Sequence, residues 1–356
     1  MKIRIDDMGT MYGYIPGSDP EALPICTGSH LDTQPNGGKY DGLLGVMLSL
    51  EAVCTLKDNG IVTKSPLVVI NWTNEEGARF VPPMLASGVV SGKFEAEWVY
   101  NIKDKDGIKF LDELKRIGYL GEKENRLKQA KAYIEAHIEQ GPVLEAEGYQ
   151  LGVVNACLGI TGLDVTIIGE ADHAGPTPMT MRKDALMVAA EVMLKVRDYV
   201  LTYGEPTVAT MGTISVSPAT KNIIPGEAYF SIDMRDDTPE GLTALEEGIR
   251  EVIEKVCQER GVEVKIERYW RADPVYFDKK VVNAIAKAAE KVGVSSRVIT
   301  SGAGHDAVFI SEMIPTGMIF VPSIAGKSHC PQEETKWEDI VKGAEVLVET
   351  LLELDK

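Results

Sequence analysis

Leu67-Val68-Val69-Ile70-Asn71-Trp72-Thr73-Asn74-Glu75-Glu76 is the stretch on which the reading of this chain turns. Residues 66–72 form a continuous apolar run rich in β-branched side chains. That is the pattern of a strand buried on both faces of a parallel sheet, not of one with a wet face. Two carboxylates follow it at once. Towards the N-terminus, residues 23–28 read as a strand that runs into a loop over 29–40. Leu43, Leu44, Val46, Met47, Leu50 and Val53 then recur at helical spacing through 41–58, closed by Gly60. Residues 2–5 and 11–15 read as short strands. Beyond the quoted stretch come strands at 132–138, 152–154 and 317–322, and helices at 279–292 and 336–354. Residues 102–131 read as a solvated helical hairpin. The alternation predicts an α/β fold with a largely parallel sheet.

The middle of the chain has another rhythm. Residues 163–169 alternate as a strand, and 178–200 form an amphipathic helix. Strands at 208–216 and 227–235 are separated by 218–226. A helix over 238–260 has Thr238 as N-cap and stops at Gly261, and a strand follows at 262–270. This β-α-β-β-α-β order is that of a ferredoxin-like layer. Two domains are therefore expected: an α/β catalytic domain of residues 1–158 and 272–356, and an inserted domain of residues 159–271.

The whole-chain numbers exclude several functions. With 356 residues, 44% apolar and 26% charged, this is a globular chain of about two to three domain-sized units. Lys and Arg number 37 against 54 Asp and Glu, a net charge of −17, so there is no broad footprint for nucleic acid or anionic membrane. No apolar run approaches the ~18 residues of a membrane span, and residues 1–7 do not read as a signal peptide. The five cysteines include no Cys-x-x-Cys pair. That disfavours a disulfide scaffold or a thiolate zinc site and fits a reducing, cytoplasmic compartment. There is no phosphate-binding glycine loop, Gly-x-Ser-x-Gly elbow or His-Glu-x-x-His helix, which disfavours nucleotide, serine-hydrolase and zincin chemistry.

The chain has only five histidines, and all fall in turns among Gly, Ser, Asp or Pro. His30 lies in Gly28-Ser29-His30-Leu31-Asp32-Thr33, with Asp41 nine positions after Asp32. His137 lies in His137-Ile138-Glu139-Gln140-Gly141-Pro142, and His173 in Asp172-His173-Ala174-Gly175-Pro176-Thr177-Pro178-Met179. His305 follows Ser301-Gly302-Ala303-Gly304, and His329 follows Lys327-Ser328. A lone histidine is most often structural or simply exposed, but five of five in such turns is hard to produce that way. His30 can offer a metal its neutral imidazole nitrogen while Asp32 accepts the other ring N–H. Asp41 can bridge two cations or, more blandly, cap a helix. Glu75 and Glu76 can divide labour between proton transfer and metal binding, although Glu-Glu is more commonly a solvated turn. Its position directly after a buried strand argues for the former.

Taken in order, these clusters resemble the hydantoinase/carbamoylase branch of the aminoacylase–carboxypeptidase metallopeptidase superfamily. That branch includes N-carbamoyl-L-amino acid hydrolases, β-ureidopropionases and allantoate amidohydrolases. The resemblance runs from about Lys2 to the C-terminus and includes Asn-Glu-Glu-Gly-Ala-Arg-Phe, Ser-Gly-Ala-Gly-His-Asp-Ala and Ser-His-Cys-Pro. It implies a two-metal site, with His30 and His137 on one ion, Glu76 and His329 on the other, and Asp41 bridging. The ions would be Zn²⁺, Mn²⁺, Co²⁺ or Ni²⁺, clamping and acidifying a water. Glu75 would carry its proton, and His173 would stabilise the oxyanion. Arg235 would clamp the substrate carboxylate, Gln140, Asn222 and His305 would contact substrate, and Asp32 would orient His30.

The implied reaction frees an amino acid, CO₂ and ammonia from an anionic N-carbamoyl-L-amino acid or from 3-ureidopropionate. The implied assembly is a homodimer formed through the inserted lid domain. The resemblance also implies several dozen largely helical residues before the first strand, whereas this sequence begins almost at it. The rivals are allantoate hydrolysis, an aminoacylase or peptidase activity, and a non-catalytic binding protein on the same fold. The Asn71-Trp72-Thr73-Asn74 run and the His137 ligand favour the carbamoylases. The non-catalytic reading expects a lost ligand or base, and none is missing.

Overall fold

A computed structural model describes residues 1–356 and divides the chain into two compact units. One is Met1–Ala156 with Tyr276–Lys356, and the other is Cys157–Val275. The first is built on a nine-stranded mixed sheet. Its order is Lys2–Ile5, Met11–Ile15, Leu67–Trp72, Ile25–His30, Ala132–Ile138, Thr316–Val321, Leu151–Cys157 and Val275–Tyr276, with Ser296–Ser301 also paired to Leu151–Cys157.

The middle four strands run parallel, Ile25 facing Leu67 on one side and Ala132 on the other. Met11–Ile15 and Leu151–Cys157 join them antiparallel at either side. The quoted run is thus parallel to one neighbour only, yet buried as its composition demands, with Ile70 fully so. The helices Leu43–Asp58, Lys279–Val292 and Trp337–Asp355 share one core with these strands, Leu44, Leu48, Ile285 and Leu347 meeting Ile25, Val69, Ile134 and Ile319. Burying each such side chain contributes about 1.5–3 kcal/mol.

This topology creates the place for a site. From Ile25–His30 the chain goes to a neighbour on one side, Leu67–Trp72, and then returns to the other side at Ala132–Ile138. A crevice opens at the carboxyl ends of parallel strands where the order reverses in this way. His30 and His137 stand at those ends, and Glu75, Glu76 and His329 follow the adjoining strands.

The second unit has a five-stranded antiparallel sheet in the order Ile214–Ser217, Glu227–Asp236, Gly159–Ile168, Glu263–Ala272, with Val208–Thr210 also paired to Glu227–Asp236. Helices Ala185–Val200 and Pro239–Arg260 bury Val192, Val196, Ile249 and Ile253 against Leu163, Val165, Phe230 and Ile232. A separate ladder joins Asp172–His173 to Ile223–Ile224. No helix of either unit is long and apolar enough to cross a membrane.

Local chemistry explains where the elements depart from the sequence reading. The helix expected from 178 begins at Ala185, because the Asp184 carboxylate accepts from the N–H groups of Leu186 and Met187 and caps it there. The strand expected over 208–216 is broken. Thr210 faces Asp233 and Ile214 faces Phe230, so three residues around Gly212 oppose two and form a bulge. The helical hairpin expected over 102–131 is one helix, Phe110–Ile117, ended by Gly118 at φ 75°, and a single turn at Lys123–Asn125. Arg126 beyond it is tied to Asp7 at 2.6 Å.

Candidate metal centre

Asp41 is the hub of the site. The residue after it, Gly42, occupies the helix N-cap position and no side chain caps this helix, so the bland reading of Asp41 as a cap does not hold. Gly42 itself has φ 65°, and a Cβ there would lie 2.2–2.4 Å from the His30 ring. Only glycine lets the helix begin this close to the imidazole.

Asp41 Oδ1 lies 3.5 Å from His30 Nε2 and 3.3 Å from His137 Nε2. Its Oδ2 lies 3.2 Å from His329 Nε2, which in turn is 3.4 Å from Glu76 Oε2. Two groups therefore share Asp41, one with His30 and His137 and one with Glu76 and His329, and the ligand atoms of each fall within 4.8 Å of one another.

The protonation pattern shows that this place wants positive charge. His30 Nδ1 donates to the Asp32 carbonyl and His137 Nδ1 to the Ile138 carbonyl, both at 2.9 Å. Each neutral ring then turns the lone pair of Nε2 towards the Asp41 carboxylate, acceptor against acceptor. Gly42 N–H donates to His137 Nε2 at 3.1 Å, which also requires that lone pair. These demands on His137 Nε2 conflict: burial opposes a charge there, but the hydrogen bond and charge of Asp41 favour a proton and lift the pKa to about 9, and that proton would occupy the lone pair that Gly42 N–H needs. Asp41 is held far below the usual carboxylate range by His137 and His329 against its own burial. Glu76 Oε1 is buried with no hydrogen-bond partner at all. A divalent cation would relieve all of these at once, and a set of imidazoles and carboxylates without thiolate fits one.

Glu75 stands beside the cluster, not in either group. It is buried, its Oε2 is 3.5 Å from His30 Nε2, and a solvated turn is thereby ruled out. Burial raises its pKa well above the usual range, helped by the carboxyls of Asp306, Glu135, Glu76 and Asp32. Asp32 serves in a way its sequence position did not reveal. Its carbonyl, not its carboxylate, orients His30, since the nearer carboxylate oxygen is 3.7 Å away. The carboxylate instead accepts the backbone N–H groups of Glu75 and Glu76 at 3.2 and 3.1 Å and sets that turn.

Of the substrate candidates in this unit, Gln140 donates from Nε2 to Asp41 Oδ2 at 2.7 Å and leaves a buried, unpartnered Oε1. His305 is buried, 3.0 Å from the Ser301 hydroxyl, its ring 4.6 Å from that of His137. Asn74, Gln140 and His329 hold φ near +55 to +60°, a left-handed conformation that costs a non-glycine residue about 1–3 kcal/mol and concentrates at functional sites.

In the second unit, His173 pairs with Ile223, its Nδ1 accepts from Gly175 N–H at 3.0 Å, and the Asn222 carbonyl accepts from Ala174 N–H. Arg235 lies elsewhere on that unit's main sheet, its Nε donating to Asp233 at 2.8 Å.

Three buried carboxylates escaped the sequence reading. Glu135 accepts from Ser29 Oγ at 2.8 Å and Ala307 N–H at 2.9 Å, and Asp306 accepts from Ser87 Oγ. Glu333 binds the loop that holds Asp41. Asp306, next to His305, and Glu135, two before His137, each carried the hint of a neighbouring histidine without a role being read from it, and Glu333 carried none.

The model of peptidase family M20/M25/M40 matches residues 26–353. An N-carbamoyl-L-amino-acid amidohydrolase of Rhizobium meliloti is 46% identical over 353 residues, covering 99% of this chain and 85% of that protein. The allantoate amidohydrolase of Escherichia coli is 33% identical over 99% of this chain and 87% of its own length. Among solved structures, an amidase of the hydantoinase/carbamoylase family from Burkholderia multivorans superposes with a TM-score of 0.95 at 40% identity, over 99% of this chain and 86% of the other.

Proposed function

Because the chain belongs to peptidase family M20/M25/M40, we propose that it is an amidohydrolase that cleaves the carbamoyl C–N bond of N-carbamoyl-L-amino acids or of 3-ureidopropionate. One water is consumed, and the free amino acid, CO₂ and ammonia leave. The observation that carries this reading is the pair of ligand groups sharing Asp41, with Glu75 buried beside them and in neither.

We assign two divalent ions, Zn²⁺, Mn²⁺, Co²⁺ or Ni²⁺, one to His30 and His137 and one to Glu76 and His329, with Asp41 common to both. When bound, they supply positive charge that polarises the ureido carbonyl and acidifies a water. Glu75 takes the proton of that water on its carboxylate and returns it to the departing nitrogen. The Asp32 carboxylate keeps Glu75 and Glu76 turned apart by holding both backbone N–H groups. Gln140 offers its unpartnered Oε1 to a ureido N–H. Arg235 is assigned to the substrate carboxylate, which its guanidinium geometry suits, His173 to the developing oxyanion, and Asn222 and His305 to substrate.

For the second unit we propose the role of an inserted ferredoxin-like lid and dimer-forming domain. Its strand order with two helices supports the first half, and a homodimer in solution is the test of the second.

An ammonia-release assay on protein reloaded with Mn²⁺, Co²⁺ or Zn²⁺ tests the whole. Turnover is expected with an N-carbamoyl-L-α-amino acid or with 3-ureidopropionate. Release from allantoate alone would move the assignment to the second reading, which the Escherichia coli relative favours. No release from any of the three by metal-loaded protein would overturn the activity.

A further inference from the structure

Glu333 is fully buried, yet its three hydrogen-bond donors are all uncharged. Oε1 accepts the backbone N–H groups of Tyr40 at 2.8 Å and Asp41 at 3.0 Å, and Oε2 lies 2.9 Å from the Ser328 hydroxyl. A buried carboxylate held only by neutral donors is costly, so its place calls for a reason. Space has been made for it: a Cβ on Gly38 would lie 1.9–2.1 Å from its carboxyl. The residue ties the segment that carries Asp41 to the loop that carries His329, 292 positions apart in the case of the Asp41 bond.

Ser328 makes the arrangement more than a tether. Its hydroxyl is 2.9 Å from Glu333 Oε2 and also 2.9 Å from Asp41 Oδ2. One proton cannot serve both acceptors. Asp41 Oδ2 already accepts from Gln140 at 2.7 Å and faces His329 at 3.2 Å. A second donor there would occupy the lone pair that a cation shared with Glu76 and His329 needs.

We propose that Glu333 is a positioning residue of the metal centre: it pins the Tyr40–Asp41 backbone and draws the Ser328 proton away from Asp41, leaving that carboxylate open to a cation. This rests on the reading of the Asp41 cluster as a metal site. In the Glu333→Gln variant the shape is kept and the amide oxygen still accepts from Tyr40 and Asp41. The amide NH₂ then faces Ser328 and donates to it, so the Ser328 proton turns onto Asp41. A purely structural role has no such dependence on Ser328.

The test is metal titration calorimetry with Zn²⁺ or Mn²⁺, with metal stoichiometry, on apo wild type, Glu333→Gln, Ser328→Ala and the double variant. Apo Tm is measured alongside. Glu333→Gln is expected to bind about 10–100-fold more weakly, the range for a group that orients metal ligands, with little change in apo Tm. Ser328→Ala is expected to bind about as the wild type does, and the double variant to recover most of the loss, a coupling that the cycle isolates. Equal affinity of Glu333→Gln and wild type overturns the proposal, as does a double variant no tighter than Glu333→Gln. Glu333→Asp, too short to reach both N–H groups, is made in parallel and carries the test if the Gln variant does not fold. Weaker binding at unchanged Tm supports the role, and unchanged affinity overturns it. Wild-type protein that binds no metal fails the metal-centre reading instead.

Discussion

Glu75 and Asp6 show two uses of a buried carboxyl. Glu75 sits outside both ligand groups, so Glu75→Gln should leave metal content unchanged and lower kcat by about 10²–10⁴, the usual reach of general acid–base catalysis. Full-rate hydrolysis by metal-loaded Glu75→Gln would remove it from the mechanism. Asp6 accepts from Met8 N–H, Thr10 N–H and the Tyr12 hydroxyl, but burial dominates and raises its pKa to about 6. The native state then binds this proton more tightly than the unfolded one. Its contribution is full below about pH 4, is lost as pH rises towards 6, and is flat above. The loss is about 3 kcal/mol at most, at 1.36 kcal/mol per unit. In denaturant melts across pH 4–7, the stability gap between wild type and Asp6→Asn should narrow over that window. A gap constant with pH would show that Asp6 does not titrate there. At this scale the histidines were legible because they are few and close to turn-forming residues, although three of them are strand residues and not turn residues: His30 ends Ile25–His30, His137 is next to last in Ala132–Ile138, and His173 belongs to Asp172–His173. The roles of Glu135, Asp306 and Glu333 were not legible, because each has a hydrogen-bond partner 106 or more positions away in sequence: Ser29, Ser87 and Asp41 respectively.

Elements were read well where one local rule governs both the interior and the end. Pro239–Arg260 begins where Thr238 accepts from Gly241 N–H at 3.0 Å and stops at Gly261 with φ 65°, as its sequence announces. Thr238→Ala should therefore cost about 1 kcal/mol, read as a drop in Tm or in the urea midpoint. A change within error would mean that Pro239 at the first turn, rather than the cap, sets this helix start. The break at Gly212 and the late start at Ala185 were missed for opposite reasons. The bulge depends on what the partner strand Glu227–Asp236 does, which no local window contains. The Asp184 cap is local, but the apolar spacing before it imitated a longer helix.

At the scale of the molecule, the net charge of −17 and the Asp41 cluster set the same demand. Six carboxyls, Asp32, Asp41, Glu75, Glu76, Glu135 and Asp306, lie around three buried imidazoles, those of His30, His137 and His305, and the charge gathered there calls for a cation. Metal that binds only the folded state stabilises it by mass action, by about 2.7 kcal/mol at a hundredfold excess over Kd. Stripping with a chelator should lower Tm by several degrees, and readdition of Zn²⁺ or Mn²⁺ should restore it. An identical Tm with and without metal would mean that the cluster holds its shape unaided.

By itself the sequence determined the α/β class and the alternating middle segment and singled out the five histidines, because strand burial, helix periodicity and the scarcity of histidine are local properties; the set of ligand candidates came with the family resemblance. Only the tertiary structure decided that Asp41 belongs to two groups, that Asp32 orients His30 by its carbonyl, and that Glu333 shares a proton-bearing serine with Asp41. Those are distances between residues brought together by the reversal of strand order, and electrostatic coupling depends on distance in space, not on separation along the chain.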